Sequence, residues 1–253
     1  MKHILMRSRS LLGDYPYTVP GLGDKLHTII IAHNYSVKHD QTVMLHMTEK
    51  QCYALIDKER KMRAWNEVIE LLTRGAVVIN CHRSAEPDTE DEWKALVHNE
   101  GYPAEFYYYS DSMHMHSRDR VEPIDACDYL GFPEIPGIEQ DVDLPEKFIT
   151  TQWDSTDGGR RFSSEDISKI LGPYIEQGYK VITVGGAAEN PKFKQIKYCG
   201  YAMSKASYHV GVDSGFFHMA WCYLKPENIY LHVKKMNHHI ARGEKMGVNV
   251  RRA

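Results

Sequence analysis

The chain has 253 residues, 42% of them hydrophobic and 26% charged, and a net charge of −3. That length suffices for one large core or two modest ones, and the composition is that of a soluble globular protein, with no stretch long enough to span a bilayer. The charge gives no global reason to expect nucleic acid, and five cysteines without C-x-x-C spacing argue for reduced thiols in a cytoplasm rather than a disulfide frame or a zinc site.

The first element, KHILM at residues 2–6, reads as a strand. The apolar run that holds it is broken by Arg7 and Arg9, unlike the continuous middle of a signal peptide. "VPGLGDKLHTIIIAH" then offers a glycine-rich turn feeding an apolar helix. Strand-like runs follow at 42–47 (TVMLHM) and 76–81 (AVVINC). Between them, Thr48 and Gln51 fit a capping box, and Cys52, Leu55, Ile56, Met62, Trp65, Ile69 and Leu72 recur near helical spacing as a core stripe, which Gly75 stops.

Pro and Gly interrupt every candidate element across residues 119–145, which read as a linker between a domain of residues 1–143 and one of residues 144–253. Three patterns near it or beyond it could touch a metal: His114 with His116, Asp141-x-Asp143, and His238 with His239. Each needs further ligands, and a solvated loop or turn is the simpler account of all three.

The alternation resumes with a strand at 147–151, a helix from Ser164 to Gln177, strands at 180–184 and 208–212, a helix after Gly215 and a strand at 229–233. Strands alternating with helices predict an α/β fold with largely parallel sheets, as two Rossmann-like domains. Facing each other, they leave a cleft at the carboxyl ends of their strands, where ligands collect. The last twenty residues carry six Lys or Arg, two His and one Glu. They read as a solvated or frayed tail, or as a contact for an anionic acceptor or the other domain.

Three strand ends in the second half carry chemistry. In "HVGVDSGFFHMAW", a helix starting after a strand and a small-residue turn presents backbone N–H groups and its positive dipole end to an anion. Gly215 permits close approach, Ser214 can donate a hydrogen bond, and His218 lies near the first turn. Asp213 would repel a phosphate, so it orients neighbouring N–H groups or meets a sugar hydroxyl; an ordinary Asp or Ser helix cap is the simpler account. The surroundings V-D-S-G-F lack the G-x-S-x-G of a serine hydrolase. "VITVGGAAEN" places Gly185 and Gly186 after a strand, with Glu189 where a carboxylate could accept both hydroxyls of a ribose. "TTQWDSTDGGRRFSSEDI" brings Arg160 and Arg161 to a turn, and paired guanidinium forks suit a diphosphate.

Together, "KFITTQWDSTDGGRRFSSEDISKIL", "KVITVGGAAE" and "YAMSKASYHVGVDSGFFHMAWCYLKP" resemble the carboxyl-terminal, donor-binding domain of heptosyltransferase-like glycosyltransferases of the GT-B fold. The most specific element is D-S-G-x-x-H-x-A, from Asp213 to Ala220, and the resemblance covers about a third of the chain. It implies that Ser214, Gly215 and His218 lie at the diphosphate of a nucleotide-sugar donor, with Glu189 as a nucleoside contact. Arg160 or Arg161 then replaces the family's basic phosphate ligand, usually a Lys followed by Arg or Trp. On the amino-terminal side, "GLGD" is similar to the turn that opens the family's acceptor domain and puts Asp24 at its acidic position, with Asp14 as substitute. A carboxylate there can accept the proton of an attacking hydroxyl.

The resemblance implies an inverting sugar transfer with no cofactor and no metal, since such enzymes leave phosphate neutralisation to side chains and helix dipoles. The expected acceptor is a saccharide or lipopolysaccharide-type hydroxyl. A hydroxylated DNA base, modified as by compact viral glycosyltransferases, is the alternative, and a non-catalytic nucleotide-sugar-binding module or a nucleotide-sugar hydrolase are others.

Overall fold

The computed structural model describes residues 2–6, 22–48, 73–82, 90–99, 101, 107–108, 141–154, 160–234, 240, 243–244 and 246–252. The chain divides into two compact units, residues 1–128 and 129–253.

The first unit is built on strands β1 (Lys2–Met6), β2 (Val43–Thr48), β3 (Val77–His82) and β4 (Tyr107–Tyr108), with helices α1 (Leu22–His39) and α2 (Glu90–Asn99). All pairings are parallel, in the order β3-β2-β1-β4. Leu26, Ile29 and Ala32 recur at helical spacing on α1 and are buried, as are Val43 and Leu45 on alternate positions of β2. Ahead of β3 the chain turns through Arg74 (φ 50°) and Gly75 (φ 76°), so the stop expected at Gly75 is a left-handed turn. Thr73 Oγ1 accepts the Val77 N–H at 3.2 Å across it. The expected helix upstream, residues 48–72, lies outside the described residues apart from Thr48, the last residue of β2.

The second unit holds β5 (Phe148–Gln152), α3 (Ser164–Glu176), β6 (Lys180–Thr183), a 3₁₀ turn (Pro191–Lys194), α4 (Ile196–Lys205), β7 (Tyr208–Gly211), α5 (Gly215–Tyr223), β8 (Ile229–Val233) and β9 (Asn249–Arg252). Its five strands are all parallel, in the order β6-β5-β7-β8-β9. Every residue of β5 is buried, as a strand covered on both faces requires. From β5 the chain crosses one way to β6 and then returns past it to β7 and β8. Right-handed crossovers put helices on opposite faces when the direction reverses. Accordingly α3 packs through Leu171 on Ile149 and Val210, while α4 and α5 pack on each other.

The carboxyl terminus departs from the expected frayed tail. Residues 249–252 form the edge strand β9, in register Tyr230↔Asn249 to Val233↔Arg252. Ile240, Met246 and Val248 are buried beneath that edge. Near the linker, Tyr198 Oη donates to Asp141 Oδ2 at 3.0 Å and Lys192 Nζ donates to the Asp141 carbonyl, so one carboxylate of the Asp-x-Asp pattern serves as an anchor. No helix among the described residues is long and apolar enough to cross a membrane.

Candidate functional site

The carboxyl ends of the second sheet meet at a topological switch point. The connection leaving β5 runs to one face and the connection leaving β7 runs to the other, so a crevice opens between Gln152 and the Asp213–Ser214 turn, the usual ligand position in an open α/β sheet. The strands approach closely there. A β-carbon on Gly211 would lie 2.6 Å from the Gln152 carbonyl oxygen, a position only glycine fills. Val212 N–H donates to the same oxygen at 3.2 Å.

Ser214 caps α5 with extended backbone (φ −149°, ψ 174°), and its Oγ accepts the Phe217 N–H at 3.4 Å. The same hydroxyl donates to Gln152 Oε1 at 2.6 Å. Arg160 reaches in from the β5–α3 connection and donates from Nη1 to the Asp213 carbonyl at 2.6 Å, putting a guanidinium against the α5 amino terminus. The Asp213 side chain, 3% exposed, faces inward, with Oδ1 3.4 Å from Nε2 of the equally buried His218. The carboxylate is thus turned in against an imidazole, away from solvent, where it can brace the turn's backbone.

The β6 loop closes one side. Gly185 has φ +86°, and a β-carbon there would meet the Phe216 ring at 2.7 Å, so the glycine lets the loop lie on the first turn of α5. Gly186 is exposed, and a β-carbon on it would lie 3.8 Å from Asp154 Oδ2. Glu189 is exposed further along the loop, before Asn190 caps the 3₁₀ turn.

On the other side, Trp153, Phe162 and His232 form an aromatic wall, with centroids 5.4 Å apart for Trp153–Phe162 and 5.7 Å for Trp153–His232. Burial, with a smaller contribution from Arg251, lowers the His232 pKa to about 4, so the wall is uncharged at neutral pH. Lys234 lies 4.7 Å over Phe162 and bonds Asp166 at 3.3 Å, which ties the loop bearing Arg160 to the end of β8.

Arg160, Gly185, Asp213, Ser214, Gly215 and His218 therefore come together, with Gly186 at the rim. Arg161 is exposed beside them, and His218 is buried against Asp213. Asp24 is in the first turn of α1, the helix that follows β1, and its side chain is outside the described atoms; Asp14 is outside the described residues, as are His114, His116, His238 and His239. Among the described residues no three His, Cys, Asp or Glu side chains gather as a metal site would need. Sequence reasoning missed Gln152 and Asp154; the available signal was a glutamine ending an otherwise apolar and threonine-rich buried strand.

No protein-family model and no curated protein matches the chain. Solved structures do. The E. coli ADP-heptose lps heptosyltransferase II superimposes with a TM-score of 0.56 at 11% identity, covering 100% of this chain and 90% of that one. A glycosyl transferase of family 9 from Veillonella parvula DSM 2008 gives 0.54 at 13% identity, covering 100% and 86%. The iron-containing dodecameric glycosyltransferase TibC from enterotoxigenic E. coli H10407 gives 0.47 at 13% identity, and the chain spans 57% of its length. The first two establish a shared fold: the chain is an α/β protein with the parallel-sheet architecture of heptosyltransferase-like GT-B proteins.

Proposed function

We propose that the chain is an inverting glycosyltransferase that moves a sugar from a nucleotide-diphosphate donor to an acceptor hydroxyl. The observation that carries this reading is the Arg160 guanidinium bonded to the turn that opens α5, at the switch point of a parallel sheet. A fixed positive group and a helix amino terminus on one crevice stabilise charge that grows on a departing diphosphate. In the reaction, the acceptor oxygen attacks the anomeric carbon from the face opposite the leaving group. The bond from that carbon to the phosphate oxygen breaks, its electron pair stays with the diphosphate, and the acceptor proton passes to a carboxylate. Asp24, in the first turn of a helix that follows a strand, is the base we assign. The side chains proposed for this transfer need no metal and no cofactor.

Arg160, Gly185, Gly186 and Gly215 would contact the donor diphosphate side, with Ser214 capping the turn between them, Arg161 at the rim and Glu189 offered to the ribose, while the buried Asp213 and His218 would hold the turn. One fold neighbour is by description an ADP-heptose lps heptosyltransferase, which makes ADP the first nucleotide to try. Ligand binding to the native state at 100 times Kd adds about 2.7 kcal/mol of stability. A thermal-shift panel of ADP, UDP, GDP and CDP should therefore give a rise of several degrees with at least one member; a melt that none of them moves overturns the proposal. Asp24→Asn should abolish transfer while leaving nucleotide binding intact, and unchanged turnover would remove Asp24 from the mechanism.

For the acceptor we propose a saccharide hydroxyl. A hydroxylated DNA base is the second reading, favoured by exposed Arg251 and Arg252 on the edge strand. DNA affinity falls steeply with salt whereas that of a neutral saccharide does not, so filter binding at two salt concentrations separates the two.

A further inference from the structure

Gln152 ends β5 as a polar side chain only 4% exposed, and the reaction proposed above gives it no role. Its two polar groups meet different partners: Nε2 donates to the Asp154 carbonyl, and Oε1 accepts the Ser214 hydroxyl proton at 2.6 Å. A backbone carbonyl can only accept. It therefore keeps the amide nitrogen facing Asp154, which turns the amide oxygen toward Ser214. A serine hydroxyl has a single proton, and here that proton is committed to Gln152. Toward everything else Ser214 is an acceptor, and its oxygen receives the Phe217 N–H.

We infer that Gln152 is a positioning residue that turns Ser214 into the helix cap, so that the N–H groups of Gly215 and Phe216 are the turn's donors to an anion. Helix geometry leaves the first N–H groups without partners inside the helix, and the Ser214 oxygen takes the one at Phe217. The inference rests on the donor reading above and reverses the role that the sequence pattern suggests for Ser214, a direct donor to the diphosphate. The contact spans the switch point, joining the end of β5 to the turn after β7, so the two strands that flank the crevice are linked by one side chain.

The test titrates inorganic pyrophosphate into the full chain, by calorimetry and by amide spectra of nitrogen-15-labelled protein. Wild type should bind, with the Gly215 and Phe216 amide resonances moving. Gln152→Met and Ser214→Ala should each weaken binding about tenfold, and the double variant should lie within about twofold of either, because both break the same chain of contacts. Wild-type affinity in Gln152→Met, or single losses that multiply, overturns the inference and leaves the donor site standing. If the Met variant does not fold, the wild-type spectra decide: Gly215 and Phe216 resonances unmoved at saturation overturn it. A wild-type chain that binds neither pyrophosphate nor any nucleoside diphosphate sinks the donor reading together with this inference.

Discussion

Gly185 is glycine for two separate reasons, its positive φ and the Phe216 ring against it. Gly185→Ala should cost about 1 kcal/mol or more from the left-handed backbone alone, read as a lower urea midpoint at unchanged slope. Arg160→Lys should be harsher on binding than on stability. A lysine keeps the charge and loses the planar fork, so nucleoside diphosphate affinity should fall about 10- to 100-fold while the melting temperature moves little. The residues of the turn were readable in the sequence because their chemistry is local: a small-residue junction between strand and helix is visible within a dozen positions. Gln152 was not, because its partner Ser214 stands 62 positions away and only the pairing of β5 with β7 brings them together. His218 was legible as a residue of the first turn, and its contact with Asp213 was not. Spacing put it near the first turn, where it lies buried with Nε2 3.4 Å from Asp213 Oδ1.

Among the elements, α3 shows how a helix start is written in a few residues. Ser163 Oγ accepts the Asp166 N–H at 3.1 Å, and Asp166 Oδ2 accepts the Ser163 N–H at 3.3 Å, a reciprocal cap at the end of the loop that carries Arg160. Hydrogen bonding to the carboxyl from Ser163, its side chain first and its backbone N–H second, and then from Lys234 holds Asp166 below the usual carboxylate range. Ser163→Ala should lower stability by about 1 kcal/mol, measured by urea melting. Periodicity located this helix and the strands β1, β2, β3, β5, β6, β7 and β8 to within a residue or so. Besides α2 and β4, it passed over α4 and β9. The first is buried almost all round, from Ile196 to Met203 apart from Lys197, so no amphipathic stripe marks it. The second is a four-residue edge whose Arg251 and Arg252 dominate the composition, while the Gly243 backbone that packs on Val250 and Leu231 comes from a segment with no strand pattern.

At the scale of the molecule, buried histidines couple stability to acid. Burial lowers the pKa of His209 to about 3 and that of His33 to about 4, and His232 behaves alike. Above pH 6.5 these rings are neutral folded or unfolded and contribute no pH dependence. Below 6.5 the unfolded chain takes up protons first, so stability falls as pH drops toward the folded values. For His209 the loss between pH 7 and pH 4.5 is roughly 2–3 kcal/mol. His209→Asn should make the fall of the urea midpoint over that interval shallower, with His33 and His232 supplying the rest; a slope identical to wild type would take His209 out of the acid response. The α/β class was legible at this scale from alternation alone. Strand order was not, since hydrophobic period says which face a residue occupies and nothing about which strand is its neighbour. The crevice between β5 and β7 follows from that order and had to be seen.

The last strand has a cost and a safeguard. As the outermost strand of its sheet among the described residues, β9 turns one row of peptide groups outward, where another extended segment could add on. Its Val250 pairs with Leu231 on β8, and trimming the strand would bare the alternating Ile229, Leu231 and Val233 behind it. Arg251 and Arg252 stand on that rim as like charges that resist stacking of one molecule against the next. Their replacement by valines should leave the fold in place and turn a dispersed solution into one that scatters light.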